Sequence, residues 1–295
     1  MDDVVVLDGG LSNALEDRGH DLSDGLWTAR LLRDAPAEIA AVHRDYFAAG
    51  ARVATTASYQ ASVAGLVDRG LSRAQAESLI RSSVAIAREV RDEVAGDGVP
   101  RWVAASVGPY GAVLADGSEY RGRYGLPAAA LRDFHLPRIE LLASAGPDLL
   151  AVETIPDLEE AEVLVGILAD LGLPSWLSFS VRGLRTRAGQ PLAEAFAVVA
   201  STPSVVAVGV NCCEPGDVLP AVRLASSVTG RPAVAYPNSG ERWDAAQRRW
   251  AGGASYDVAL AHDWVAAGAS YVGGCCRVGP ATIAALADEL RTSRT

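Results

Sequence analysis

The four cysteines of this chain fall in two adjacent pairs, Cys212-Cys213 and Cys275-Cys276. Each pair follows a short apolar, largely β-branched run, so each is placed where a buried strand ends. A chain that uses cysteine only there is using thiolates for metal or nucleophile chemistry. Thiolate-rich sites select soft or borderline metals, zinc above all. Adjacent cysteines on a regular strand point to opposite faces, so Cys275 and Cys276 can share an ion only past the strand end, where Gly273-Gly274 supplies backbone freedom. A catalytic zinc keeps three protein ligands and one open position, which leaves one cysteine over. Strand alternation sets Cys212 on the face of Val206, Val208 and Val210 and Cys213 on the other. That argument selects Cys212, Cys275 and Cys276 as the metal ligands and leaves Cys213 as a small buried hydrophobe.

Three thiolates on Zn²⁺ give a site of net charge -1, a poor generator of hydroxide. Such a site suits the capture of a substrate thiol. A free thiol is only a few per cent ionised at pH 7, and coordination removes that obstacle without a dedicated base. The resulting sulfur stays electron-rich enough to attack an alkyl group.

The elements that must position these residues are legible as alternating strand-like and helix-like segments, the pattern of an α/β fold with a parallel sheet. Strands are expected at residues 4–7, 51–56, 102–107, 148–152, 176–181, 205–210, 233–236 and 270–272. Ser72-Arg73-Ala74-Gln75 is a capping-box signature opening a helix to about Ala95. Pro137 predicts a kink or break in a helix over 127–145. Asp157 caps a helix that Gly172 ends. Eight strand-helix units in one pass define a single (β/α)8 TIM-type barrel over residues 1–295. Asp8, Ser58-Tyr59, Pro109-Tyr110, Glu153, Asn211-Cys212, Asn238 and Cys275-Cys276 all lie just past expected strands, on the face where active sites of this fold sit. The long loops after strands three and seven are expected to wall or cover it.

The bulk properties exclude several classes. A net charge of -10 denies the basic face that nucleic-acid binding needs. No apolar run approaches the roughly 20 residues of a membrane span. The opening MDDVVVLDGG lacks the basic, then apolar, character of an export signal, so a cytoplasmic protein with reduced thiols is expected. The four histidines stand in neither H-x-H nor H-E-x-x-H spacing, against a metallohydrolase. No G-x-G-x-x-G follows a strand, against a dinucleotide site.

Asn211-Cys212 with Gly273-Gly274-Cys275-Cys276, in eight units opening on Asp8-Gly9-Gly10-Leu11, resembles the homocysteine S-methyltransferases. The resemblance runs over nearly the whole chain. Leu26-Trp27-Thr28-Ala29, Thr56-Ala57-Ser58-Tyr59-Gln60-Ala61, Ser106-Val107-Gly108-Pro109-Tyr110-Gly111, Leu114-Ala115-Asp116-Gly117-Ser118-Glu119-Tyr120, Glu153-Thr154-Ile155-Pro156 and Tyr236-Pro237-Asn238-Ser239-Gly240-Glu241 are similar to the branch using S-methylmethionine. The resemblance implies methyl transfer from a sulfonium, S-methylmethionine or S-adenosylmethionine, to L-homocysteine, giving methionine. Both substrates are small molecules. It also implies zinc on Cys212, Cys275 and Cys276, and Asp8 and Glu153 as acids holding the homocysteine ammonium. Tyr59 falls where relatives place a tyrosine near the metal.

A helix starting after Gly10 would offer N–H groups to the substrate carboxylate. Trp27, Tyr110 and Tyr120 are candidates to flank a sulfonium by cation–π contact. Asn211 and Asn238 complete the substrate-binding candidates. Asp8 as a helix N-cap and Glu153 as a salt-bridge partner are the purely structural alternatives. One departure from the family stands out: the turn after strand five, Arg182-Gly183-Leu184-Arg185-Thr186-Arg187-Ala188-Gly189, is basic where relatives carry an acidic Ser-Asp-Gly type. The competing functions are a betaine-using homocysteine methyltransferase and a non-catalytic zinc or thiol-redox barrel.

Overall fold

The runs richest in Val, Ala and Leu become parallel strands covered on both faces, as such composition requires. In the computed structural model, which describes residues 4–22, 28–244 and 249–292, they are β1 (Val5–Val6), β2 (Val53–Thr55), β3 (Trp102–Val107), β4 (Leu149–Ile155), β5 (Ser175–Phe179), β6 (Val205–Asn211), β7 (Ala233–Tyr236) and β8 (Ala269–Val272). They form one eight-stranded sheet in the order β1-β8-β7-β6-β5-β4-β3-β2. A parallel bridge, Leu7 to Val53, joins its two ends, beside a bond from the Arg52 N–H to the Val6 carbonyl at 2.7 Å. The sheet is therefore a barrel with helices between its strands.

Two apolar layers follow from the strand period of two. Leu7, Val53, Ala104, Ala151, Trp176, Ala207, Val234 and Tyr236 form the inner cluster, with Tyr271 packed against it. Every strand contributes, so this cluster fills the lumen. The alternate positions, among them Val103, Val152, Leu177, Val208 and Val210, pack outward with the helices in the larger core. Trp176 is fully buried in the lumen. Its indole N–H donates to the Tyr236 hydroxyl at 2.9 Å, so a polar atom at the barrel centre is satisfied.

Local signals explain most helix ends. Ser72 and Gln75 exchange the two bonds of a capping box, at 3.3 and 2.8 Å, and open the helix Arg73–Glu93. Asp157 caps Leu158–Leu171 through the Glu159 N–H, and left-handed Gly172 ends it. The expected break at Pro137 is absent, because the helix Ala128–Ser144 runs through it. Pro137 and Asp133, whose carbonyl it leaves without an N–H, both lie on the exposed face, so water can replace the missing donor. Beyond β5 the chain makes a hairpin, Val181–Arg182 against Arg185–Thr186, rather than a longer strand. The loop after β3 folds into Tyr110–Leu114 and a 3-10 turn, Ser118–Tyr120. The loop after β7 carries a second hairpin, Arg242–Asp244 with Arg249–Ala251. Among the described residues, no helix is long and apolar enough to cross a membrane.

Candidate functional site

Cys212, Cys275 and Cys276 come together at the carboxyl ends of β6 and β8, their sulfurs all within 4.8 Å of one another. Cys212 has φ +50°, in the left-handed region that non-glycine residues rarely enter. That twist decides which cysteine faces the mouth. Val208 and Val210 face the helices, so regular alternation would send Cys212 outward and Cys213 inward. The left-handed turn reverses the pair. Cys213 is fully buried in the outer core, where burial pushes its thiol well above the usual range. Alternation thus names the cysteine that joins the cluster, but for the wrong reason.

On the β8 side, space is what the glycines provide. Neither Gly273 nor Gly274 has a positive φ, but a Cβ on Gly274 would lie 2.1 Å from Val278 Cγ1. The left-handed residue of this turn is Arg277, φ +64°, whose N–H donates to Asn13 Oδ1 at 2.7 Å. Cys275 N–H donates to the Pro237 carbonyl at 2.8 Å, and Cys276 N–H to Asn238 Oδ1 at 3.1 Å.

The donor set fits a tetrahedral thiophilic ion. Bonds of about 2.3 Å at tetrahedral angles separate two sulfurs by about 3.8 Å. Cys212 and Cys276 stand at 3.7 Å, and Cys212 and Cys275, at 2.9 Å, would open by just under 1 Å. Cys212 is drawn well below the usual thiol range by S–H donation from Cys275 and Cys276, which are themselves pushed up.

The two acids lie beside this cluster, and neither takes its purely structural alternative. Asp8 accepts the Thr55 N–H at 2.6 Å and its hydroxyl at 2.8 Å. The helix Leu11–Asp17 instead begins at Gly10 without a side-chain cap. Glu153 accepts a short bond from the Ser106 hydroxyl and another from Tyr236, and no described basic side chain pairs with it. Burial pushes both carboxyls up to about 7.

The other candidates divide. Tyr59 is held neutral, first by burial and then by the Cys212 charge, and bonds Thr154. Asn211 spends its amide inside the scaffold. Its Oδ1 takes the Thr154 N–H at 2.7 Å and the Ser178 hydroxyl at 2.9 Å, and its Nδ2 donates to Thr154 Oγ1 at 2.7 Å. These bonds hold Thr154 at φ +61°. Asn238 likewise supports the Cys276 backbone. Tyr110 packs on Tyr124 and Phe134, with ring centroids at 5.3 and 5.0 Å. Trp27 lies outside the described residues. His135, fully buried, faces Glu160 at 2.9 Å rather than the sulfurs.

Several contacts escaped the reading of the sequence. The Tyr120 hydroxyl lies 3.6 Å from Cys212 Sγ. Arg138, almost fully buried, donates to the carbonyls of Gly108 at 3.1 Å and Tyr59 at 2.9 Å, tying the loops after β2 and β3 together. Thr55, Ser106 and Tyr236 orient the two acids. The period-two positions of Ser106 and Tyr236, matching inward Ala104 and Val234, are the signal that could have found them.

A family model described as homocysteine S-methyltransferase matches residues 5–290. The homocysteine S-methyltransferase of Escherichia coli K12 is 45% identical, over 96% of this chain and 94% of its own. Homocysteine S-methyltransferase 4 of Zea mays is also 45% identical, over 97% of this chain and 89% of its own. Among solved structures, the metallated homocysteine methyltransferase MmuM of E. coli superposes with a TM-score of 0.88 at 43% identity, covering 97% of this chain and 96% of that one.

Proposed function

The chain belongs to the homocysteine S-methyltransferase family, and from that premise we propose that it transfers a methyl group from S-methylmethionine to L-homocysteine, giving methionine. Residues 1–295 act in this reading as one homocysteine-binding barrel, and S-adenosylmethionine is the second sulfonium donor. The observation that carries the proposal is the convergence of three cysteine sulfurs within 4.8 Å at the barrel mouth, beside two buried carboxyls that no described base neutralises.

Cys212, Cys275 and Cys276 would hold zinc. When bound there, zinc supplies an acceptor thiol kept ionised at neutral pH. Asp8 and Glu153 grip the homocysteine ammonium. Burial alone favours their protonated forms, and an arriving cation favours ionisation, so the acids charge as the substrate is seated. Thr55, Ser106 and Tyr236 fix their orientation. Asn211 and Asn238 hold the strand ends that carry the sulfurs, and Tyr59 and Tyr120 close the space above them.

In the transfer, the acceptor sulfur forms a bond to the methyl carbon while the carbon–sulfonium bond breaks. The released pair stays on the leaving sulfur, and the donor departs as a neutral thioether. Opposite charges cancel in this step, so the site gains most by aligning reactants in a dry mouth. Positioning of this kind can supply roughly 7–11 kcal/mol.

The test is methionine formation by the zinc-loaded protein from homocysteine with S-methylmethionine, S-adenosylmethionine or betaine. S-methylmethionine should give the highest kcat/KM. Turnover with betaine alone would overturn the donor, and no methionine from any of the three would overturn the function.

A further inference from the structure

Near the cysteine sulfurs stand two charged side chains that the site described so far does not use, Glu119 and Arg187. Glu119, the chain neighbour of Tyr120, is only 5% exposed, and its Oε2 has no hydrogen-bond partner among the described residues. A buried carboxylate oxygen without a partner is costly, and such groups mark ligand positions. The nearest cation in sequence, Arg121, is taken by Ser118 at 2.8 Å and Asp116 at 3.4 Å. The Arg187 guanidinium lies over the Tyr120 ring, 5.6 Å from its centroid. Its Nε is buried and has no hydrogen-bond partner among the described residues. Tyr120 as a residue is 37% exposed, and its hydroxyl lies 3.6 Å from Cys212 Sγ. An acid whose charge is felt at Tyr59 and Cys212, and a guanidinium over Tyr120, thus stand near the cysteine sulfurs, each with a buried atom that has no hydrogen-bond partner among the described residues.

We propose that Glu119 and Arg187 form a clamp for the amino-acid end of the methyl donor, Glu119 taking its α-ammonium and Arg187 its α-carboxylate. The assignment rests on the methyl-transfer reading above. Homocysteine's ammonium is already met by Asp8 and Glu153 within the barrel mouth, whereas this pair sits on the loops after β3 and β5, on the side from which a second amino acid must approach. A guanidinium matches a carboxylate in two-pronged geometry. The clamp also gives a role to the basic turn after β5, Arg182 to Arg187. A carboxylate at the remote ammonium, rather than at the sulfonium, keeps its attraction while the sulfonium loses charge, so the clamp does not oppose the transfer.

Glu119→Gln and Arg187→Met, with Arg187→Lys as the conservative control, should each raise the KM and the calorimetric Kd for S-methylmethionine about 10- to 100-fold. The lysine variant should retain part of the binding. Homocysteine KM and zinc content should stay at wild-type values, which also certifies folding. Trimethylsulfonium, a methyl donor with neither charged group, should be turned over equally by wild type and variants. Unchanged S-methylmethionine binding, an effect on homocysteine instead, or an equal loss with trimethylsulfonium would each overturn the clamp. Should wild type bind S-methylmethionine in an Arg187-dependent way yet form no methionine, the clamp stands and the methyl-transfer reading falls.

Discussion

Cys212 and Cys213 are chain neighbours with opposite environments, one at the mouth and one in the outer core. The difference is a single left-handed backbone conformation at Cys212. Replacing each in turn separates the two roles. Cys212→Ala should purify with less than stoichiometric zinc and form methionine only at background rate. Cys213→Ala should keep full zinc and activity while losing about 1 kcal/mol of stability. Metal analysis and thermal melts check both, and a Cys213 variant lacking zinc would reverse the assignment. Left-handed Thr154 belongs to the same device, since Asn211 pins it from the strand that delivers Cys212.

At the scale of the elements, the loops after β2 and β3 work as a unit. Arg138 reaches up from the helix Ala128–Ser144 to bind carbonyls in both, and the Gly108 N–H donates to the Tyr59 carbonyl at 3.2 Å. The contact leaves no room for a side chain, because a Cβ on Gly108 would stand 2.6 Å from the Tyr59 ring and carbonyl. Gly108→Ala should therefore push Tyr59 aside, costing about 1–3 kcal/mol and lowering kcat/KM with little change in zinc content. Wild-type melting and kinetics in that variant would remove Tyr59 from the mouth. Elements of this size were largely legible beforehand. Short apolar runs located the strands, and Ser72, Gln75, Asp157 and Gly172 marked helix ends by local bonding that sequence encodes directly. What stayed hidden depends on contacts between distant segments. The hydroxyl of Tyr120 meeting Cys212 across the mouth, the buried reach of Arg138 and the left-handed twist at Cys212 have no local signature. Pro137 misled because its cost depends on whether water reaches the orphaned carbonyl.

For the whole molecule, the two buried acids tie stability to pH. Their ordinary values, 3.8 for Asp8 and 4.5 for Glu153, rise to about 7 in the fold. Between these limits the folded chain holds protons that the unfolded chain has released, so stability falls as pH rises toward 7. Buried His43 and His135, both lowered by burial, act in the opposite sense over that lower range, while Glu119, raised by burial, adds to the fall. Metal-free protein should thus melt progressively lower from about pH 5 to 7, Asp8→Asn should flatten that slope, and homocysteine should offset it by supplying a cation. Melts that climb over this interval would contradict the assignment.

The sheet itself is shut by little: a two-residue first strand, one bridge from Leu7 to Val53, and the Asp8 carboxylate fastened to Thr55. On the proposed reading, Asp8 is therefore both latch and handhold. A chain that loosens there frays its narrowest seam and drops the acceptor amino acid in the same motion, so an empty, alkaline barrel is weakest along the line where its cargo boards.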